Sequence, residues 1–363
     1  MQQITEDAVR TALAAVEDPH AGCDLAASGA VKGIGIDGDR VLVRIGLGYP
    51  AAGWHEALRD RVVAAVSALP GVGGVSVDIG TRVVAHAVQG ELTPMPGVKN
   101  IIAVASGKGG VGKSTTSVNL ALALAREGAR AGVLDADIYG PSVPRMLGIS
   151  GRPETTPDRR ILPREAHGLQ AMSIGLLVDE DTPMIWRGPM VTQALQQLLN
   201  ETNWDALDYL VIDLPPGTGD IQLTLCQRVP VSGAVIVTTP QDIALLDAKK
   251  ALKMFEKVQV PVLGIIENMA VHVCSNCGHA EHVFGAGGGE RMATQYGVPL
   301  LGSLPLDIAI REQADGGNPT VAAAPDSPAA LAYRDIARRT AGRLSQRARN
   351  KRVGLPNIVV QDT

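Results

Sequence analysis

The sequence predicts an α/β fold, a mostly parallel sheet flanked by helices and preceded by a small α+β domain. Three observations carry this. Seven short, almost uninterrupted apolar runs recur through residues 99–345 with helical stretches between them. That is the pattern of parallel strands covered on both faces. The first run ends in a glycine-rich loop that opens directly into a helical stretch. Ahead of this, residues 1–88 alternate in the order α-β-β-α-β, which makes a separate small domain.

A chain of 363 residues suits about two domains. In the first, Ile4, Val9, Leu13 and Val16 fall at helical spacing. Residues 30–36 and 41–45 read as strands across the Asp37-Gly38-Asp39 turn, 54–69 as a second helix and 75–79 as a third strand. Residues 89–98, with Gly90, Pro94 and Pro96, read as a linker. The second domain, 99–345, offers strands at 101–105, 131–134, 169–174, 209–212, 234–237, 262–266 and 300–304. Ligands of such sheets sit beyond the carboxyl ends of the strands. Residues 346–363 read as a basic, flexible tail. The basic run from Arg338 and Arg339 through Arg343, Arg347, Arg349, Lys351 and Arg352 is expected to be a solvated helix end and tail, or a weak anionic contact.

Composition narrows the function. Aromatic residues are only 3%, too few for a base-stacking platform, and a net charge of −4 exerts no global pull on nucleic acid or acidic membranes. No apolar stretch reaches the ~20 residues of a membrane span, and residues 1–18 lack the pattern of a secretory signal. The expectation is a cytoplasmic protein with no membrane or nucleic-acid partner. Its four cysteines, Cys23, Cys226, Cys274 and Cys277, are no disulfide framework at this length.

The glycine loop reads Gly107-Lys108-Gly109-Gly110-Val111-Gly112-Lys113-Ser114-Thr115. Strand, glycine loop and helix in that order form a phosphate-binding loop, the mark of a P-loop NTPase. Glycines let backbone N–H groups turn toward phosphates, and the helix N-terminus adds its positive end. Lys113 would reach the β- and γ-phosphates of ATP, and the Ser114 hydroxyl would ligate Mg²⁺. The apolar run 209–212 ends in Asp213, which matches a Walker B carboxylate that holds Mg²⁺. Leu214-Pro215-Pro216-Gly217-Thr218-Gly219-Asp220 follows as a candidate switch loop at the γ-phosphate. Asp135 and Asp137 end another strand and point the same way. Asp137 is the candidate to orient the attacking water and Asp135 to support Mg²⁺. Asn268 ends a later strand with both a donor and an acceptor for an adenine edge. The Gly285-Ala286-Gly287-Gly288-Gly289 stretch lacks a preceding strand and a lysine, so it reads as a flexible connection.

Lys108, directly after the first glycine, is not needed for the cradle. It resembles the signature lysine of the deviant Walker A class, the ParA/MinD/nitrogenase-iron-protein group. That resemblance implies a homodimer in which Lys108 reaches the partner's nucleotide, and it places Lys108 beside Lys113, Asp135 and Asp137 among the catalytic candidates. Cys274-Ser275-Asn276-Cys277 with Gly278 beyond it forms a two-thiol knuckle. A closed metal site usually needs four ligands. One completion is zinc with His279 and His282. The other is a [4Fe–4S] cluster shared by two chains, each giving Cys274 and Cys277; inert or redox thiols are a third reading. The spacing alone is ambiguous, and the dimer implied by Lys108 favours the shared cluster.

Together, residues 107–115, 135–142, 213–220, 238–241, 267–269 and 274–277 resemble the Mrp/ApbC family of iron–sulfur cluster carrier ATPases along almost the whole chain. The first domain resembles the iron–sulfur-maturation domain often fused ahead of them, with Asp18-Pro19 and Leu69-Pro70-Gly71-Val72 in the expected places. The resemblance implies a homodimer that binds a labile cluster, receives it from scaffold proteins and passes it to apo iron–sulfur proteins, with weak intrinsic ATP hydrolysis. One departure matters. The family's small domain commonly carries a cysteine where this chain reads Tyr49-Pro50-Ala51-Ala52-Gly53-Trp54. That removes the basis for a metal or thiol role and leaves docking or regulation. Two rival readings are a ParA/MinD-type positioning ATPase and a zinc-stabilised ATP-binding scaffold.

Overall fold

The computed structural model describes residues 4–90, 92–177, 188–274 and 276–348. Arg349, Lys351 and Arg352 of the basic tail lie outside the described residues.

Among the described residues the main sheet has eight strands. In spatial order they are Leu300–Ser303, Val262–Glu267, Gly233–Thr238, Val98–Ala105, Leu207–Asp213, Ala131–Asp135, Leu169–Ser173 and Arg164–Ala166. The first seven are parallel throughout, and each coincides with one of the predicted apolar runs. Arg164–Ala166 is an antiparallel edge strand of three residues that no apolar run announces. The strand leading into the glycine loop lies mid-sheet, so the ends of Val98–Ala105, Leu207–Asp213 and Ala131–Asp135 sit side by side. In register, Asp213 pairs with Val104 on one side and with Asp135 on the other.

Both faces are covered. Helices Gly188–Glu201, Asp220–Arg228 and Asp242–Lys257 bury Leu195, Leu199, Leu225, Leu252 and Phe255 against one face. Helices Lys113–Arg126 and Pro328–Ser345 cover the other. Helix Pro328–Ser345 starts where it does because Ser327 caps the Ala330 N–H and Pro328 occupies a first-turn position. Ile336 and Leu344 on this helix are core residues, so its apolar stripe faces the protein. No described helix is long and apolar enough to cross a membrane.

The small N-terminal domain is built as its pattern predicts. Helices Glu6–Ala14 and His55–Ser67 pack on a three-stranded sheet ordered Val31–Asp37, Arg40–Leu47, Gly74–Thr81. The first two strands are antiparallel and the last pair is parallel. Its core residues Val9, Leu13, Leu58 and Val62 join one continuous apolar cluster with Leu120, Leu124, Tyr333 and Ile336 of the large domain. Each such side chain stabilises the assembly by roughly 1.5–3 kcal/mol.

The joint between the domains is polar and buried. Glu127, just past the end of helix Lys113–Arg126, accepts the Gly53 N–H at 2.8 Å, Arg334 Nε at 2.8 Å and Arg338 Nη1 at 3.1 Å. Its backbone carbonyl accepts the Ala52 N–H. Asp18 takes the Tyr49 hydroxyl and the His20 and Ala21 N–H groups, and these bonds hold its carboxyl below the usual range against the burial that would raise it. His20 Nε2 lies 3.0 Å from Asp335. The thiol-free loop 49–54 is therefore a docking loop here. Arg338 and Arg339, expected to be solvated, are instead engaged by Glu127 and Asp335. For Arg338 the reason is long-range, since Glu127 lies 211 residues earlier in the chain, whereas Asp335 lies one turn back from Arg339 on the same helix. Glu127→Ala would strip two guanidinium groups and a backbone N–H of their buried acceptor. It is expected to cost about 3–5 kcal/mol, read as a lower denaturant midpoint; an unchanged midpoint would show that the network contributes nothing.

Candidate functional site

The glycine loop folds as its composition requires. Gly110 and Gly112 take φ of 81° and 80°, in the left-handed region, which costs glycine nothing. A Cβ on Gly107 would run into the Asp247 backbone. Helix Lys113–Arg126 begins at once, and no side chain caps its N-terminus. Its first-turn N–H groups are thus available to an anion.

Behind the loop, Asp213 is fully buried and collects three partners. Lys113 Nζ and Ser117 Oγ each lie 2.7 Å from Oδ1, and Ser114 Oγ donates to Oδ2 at 2.5 Å. The half-buried Ser114 hydroxyl and the buried Asp213 carboxylate in contact form a hard-oxygen pair of the kind Mg²⁺ takes. Ser117 was not foreseen; it lies one turn beyond Ser114 on the same helix face, which is the signal that could have found it. The loop after Asp213 lies against the glycine loop, with the Gly217 N–H on Ser106 O at 3.0 Å and Gln222 Nε2 on Pro216 O at 2.5 Å. Lys108 is half-buried on the same rim, and its carbonyl accepts the Ser106 hydroxyl.

Asp135 is wholly buried. It accepts the N–H groups of Asp137 (3.1 Å), Ser142 (2.9 Å) and Val143 (3.1 Å) and the hydroxyl of Ser173 (3.1 Å). Its bonds fold the 136–143 loop and so fix where Asp137 stands. Burial pushes the Asp135 carboxyl up to about 7, and the neighbouring Asp213 charge adds to the push. Burial also raises Asp137, opposed by Lys113. Because the folded value of Asp135 is raised, its ionisation costs the nucleotide-free protein stability as pH rises through about 7. A divalent cation held at the adjoining Asp213 would favour the ionised form. Binding of Mg·ATP is therefore expected to release a proton near neutrality, and apparent affinity to rise with pH by up to about tenfold per unit. Calorimetry in phosphate and in Tris at pH 6.5 checks this; identical binding enthalpies in the two buffers would contradict it.

Asn268 reaches the same rim. Its backbone N–H bonds Thr238 O, and its Nδ2 donates to Val111 O at 2.8 Å. One amide hydrogen is thus spent on the glycine loop. Further along the same segment, Val273 joins Pro305, Leu306, Asp307 and Ile310 in walling a cavity of about 260 Å³. Gln313 Oε1 and Thr320 Oγ1, both lining residues, are buried without a hydrogen-bond partner. These two were not foreseen, because nothing in the sequence brings residues 313 and 320 to Val273. The Gly287-Gly288-Gly289 stretch corrects the expected flexible connection. It starts helix Gly288–Tyr296, packed so closely that a Cβ on Gly288 would meet Pro240 O, and Glu267 accepts the Gly289 N–H at 2.7 Å.

The thiol knuckle is the turn of a short hairpin, His272–Val273 with Ala280–Glu281. Cys274 N–H bonds His279 O, Gly278 N–H bonds Cys274 O, and Gly278 takes φ of 71°. Cys277 is exposed and Cys274 half-buried. The N–H groups of Cys277 and Asn276 point at the Cys274 sulfur and lower its pKa, favouring the thiolate a metal requires. Among the described residues no group of three or more His, Cys, Asp or Glu stands ready to hold a metal ion. His282 Nδ1 hydrogen-bonds Ala270 O at 2.7 Å, and His272 Nδ1 hydrogen-bonds Leu306 O at 3.0 Å.

A family model described as the NUBPL iron-transfer P-loop NTPase matches residues 97–341. The chain belongs to this family. A second model, described as an iron–sulfur cluster assembly protein, matches residues 6–78. The iron–sulfur cluster carrier protein of Deinococcus radiodurans is 47% identical over 342 residues, 94% of this chain and 96% of its own length. That of Pseudomonas fragi is 62% identical over 275 residues, 75% of this chain and 96% of its own. The mouse iron–sulfur cluster transfer protein NUBPL is 52% identical over 253 residues, 69% and 79% of the two chains. Among solved structures, the Archaeoglobus fulgidus nucleotide-binding protein in complex with ADP is 37% identical with a TM-score of 0.54, over 61% of this chain and 87% of its own. The family's P-loop NTPase fold is thus present in this chain, and the second match falls on the small N-terminal domain.

Proposed function

We propose that this protein is an ATP-hydrolysing iron–sulfur cluster carrier. In this reading it works as a homodimer that holds a [4Fe–4S] cluster between two Cys274/Cys277 pairs and passes it to apoproteins. The observation that carries the reading is a thiol knuckle that stops at two ligands, on a nucleotide-binding scaffold whose relatives bear the names of cluster carriers. Two such knuckles across a twofold axis supply the four thiolates a cubane needs. Ile243 and Leu246 support the dimer, because both are large, apolar and exposed on the helix whose Asp247 abuts Gly107.

On the nucleotide side, Lys113 leaves Asp213 for the β- and γ-phosphates, while Ser114 and Asp213 hold Mg²⁺. Asp137 orients water for attack on the γ-phosphate, placed there by the bonds that Asp135 makes. Lys108 serves the partner's nucleotide. The 214–220 loop, already hydrogen-bonded to Ser106, responds to the γ-phosphate. The base enters the cavity walled by Val273, Pro305 and Leu306, where Gln313 Oε1 and Thr320 Oγ1 await polar partners. One finding weighs against a rival. Of the apolar positions Leu331, Ile336 and Leu344 on helix Pro328–Ser345, the last two are spent on the core and Leu331 is exposed, which leaves a membrane-positioning role little surface.

The test is transfer itself. Protein loaded anaerobically with iron and sulfide is mixed with an apo [4Fe–4S] dehydratase in the presence of a ferrous chelator. Recovery of dehydratase activity is expected. A loaded protein that leaves the acceptor inactive would overturn the carrier reading.

A further inference from the structure

The two candidate sites are joined by one short segment, residues 268–274, and its construction goes beyond either site. Asn268 at its start is bonded to the glycine loop through Val111 O, and a Cβ on Gly112 would collide with its Nδ2. Met269 follows with φ of 58°, a left-handed conformation in a residue with a flexible, unbranched side chain. Such a backbone costs of order 1–3 kcal/mol and persists only where the surroundings enforce it. The setting of residue 269 is therefore imposed by the bonds on either side of it.

Beyond Met269 the segment is clamped. Ala270 N–H bonds Leu304 O, Leu306 N–H bonds Val271 O, and the His272 and His282 rings bond Leu306 O and Ala270 O. Residues 270–273 therefore move with the 304–306 strand end as one piece. That piece forms a wall of the cavity, through Val273, Pro305 and Leu306. Val273 immediately precedes Cys274, and its side chain is half-exposed at the cavity. A ligand filling the cavity presses on the residue next to the cluster thiol, and a ligand on the glycine loop pulls on the residue before Met269.

We propose that residues 268–273 are a strap through which the nucleotide, its base above all, sets the geometry of the Cys274/Cys277 pair, with Met269 as its hinge and Val273 as its contact. Met269 and Val273 are positioning residues; neither touches the cargo. The inference rests on the cluster-carrier reading and adds the route of coupling. It assigns that route to the strand end carrying Asn268 rather than to the 214–220 loop, which holds no cysteine.

The experiment measures iron release from anaerobically loaded full-length protein to a ferrous chelator. Ligands are a non-hydrolysable ATP analogue with Mg²⁺, inorganic tripolyphosphate with Mg²⁺, or none, with saturation verified by bound ligand. In the wild type the ATP analogue is expected to change the release rate by about fivefold or more, the scale of a modest coupling energy. Tripolyphosphate, which fills the glycine loop and leaves the base cavity empty, is expected to give less than half of that factor. In Met269→Gly, which removes the strain, and in Val273→Ala, which removes the contact, the analogue's effect is expected to fall below about twofold. Glycine tolerates the left-handed backbone and position 273 is half-exposed, so both variants keep the fold. Wild-type ratios in both variants, or an equal effect of tripolyphosphate and the ATP analogue, would overturn the strap. A wild type that takes up no iron would overturn the carrier reading, and the strap with it.

Discussion

Lys113→Ala is expected to lower ATP hydrolysis by about 10²–10³-fold. This is the loss seen when one charged or hydrogen-bonding group aimed at the transition state is removed. The physical ground is that Lys113 is the cation buried against the helix N-terminus, 2.7 Å from Asp213 and only 6% exposed. No other lysine or arginine meets Asp213 in the described residues. The same change leaves the Asp213 carboxylate without its cation. Loss of one partner of a buried pair costs about 3–5 kcal/mol, tempered here because Ser114 and Ser117 still donate to Asp213. A lower melting temperature should therefore accompany the lost hydrolysis. Steady-state phosphate release measured beside a thermal melt checks both. Hydrolysis within threefold of wild type would remove Lys113 from the mechanism.

The second large effect belongs to the thiols. Cys274→Ser/Cys277→Ser is expected to abolish iron retention after reconstitution, because hydroxyls replace the thiolates that iron–sulfur clusters require. Cys277 is exposed and Cys274 half-buried, and the knuckle is held by backbone bonds from Cys274 N–H and Gly278 N–H. The fold should survive, and circular dichroism should match the wild type. Each single variant is expected to lose the cluster as well, since a twofold axis removes two ligands for each residue changed. Iron and sulfide retained by the double variant at wild-type levels would place the cargo elsewhere.

Much of this protein was legible before its coordinates. The seven parallel strands announce themselves because burial on both faces demands apolar residues at nearly every position, as in Leu207–Asp213 and Gly233–Thr238. The phosphate loop is legible because few residue types can turn N–H groups inward and end in a lysine on a helix N-terminus. What stayed hidden depends on residues far apart in sequence. Glu127 reads as a helix-end glutamate until Gly53, Arg334 and Arg338 fold around it. Asp135 and Asp137 share a strand end, yet only the three N–H bonds to Asp135 show which of them organises the other. The 287–289 glycines look like slack in the sequence, but in the fold they allow a helix to press against Pro240. Three-residue Arg164–Ala166 has too little apolar character to stand out.

The missing loop cysteine also gains a physical reading. In this chain residues 49–54 lie at the domain joint, with Tyr49 on Asp18 and Gly53 on Glu127. Glu127 sits just past the end of the same helix whose start carries Lys113 and Ser114. The small domain is thereby fastened to the far end of the phosphate-loop helix, which suits docking or regulation better than thiol chemistry.

In the proposed dimer two chains share one cluster through Cys274 and Cys277. The most direct measurement is anaerobic reconstitution of the wild type with iron and sulfide, followed by metal and sulfide analysis and light scattering on the same sample. The account predicts a brown protein with the mass of two chains and about four iron and four sulfide per dimer, the content of a single cubane. A colourless protein that holds one zinc per chain would contradict it.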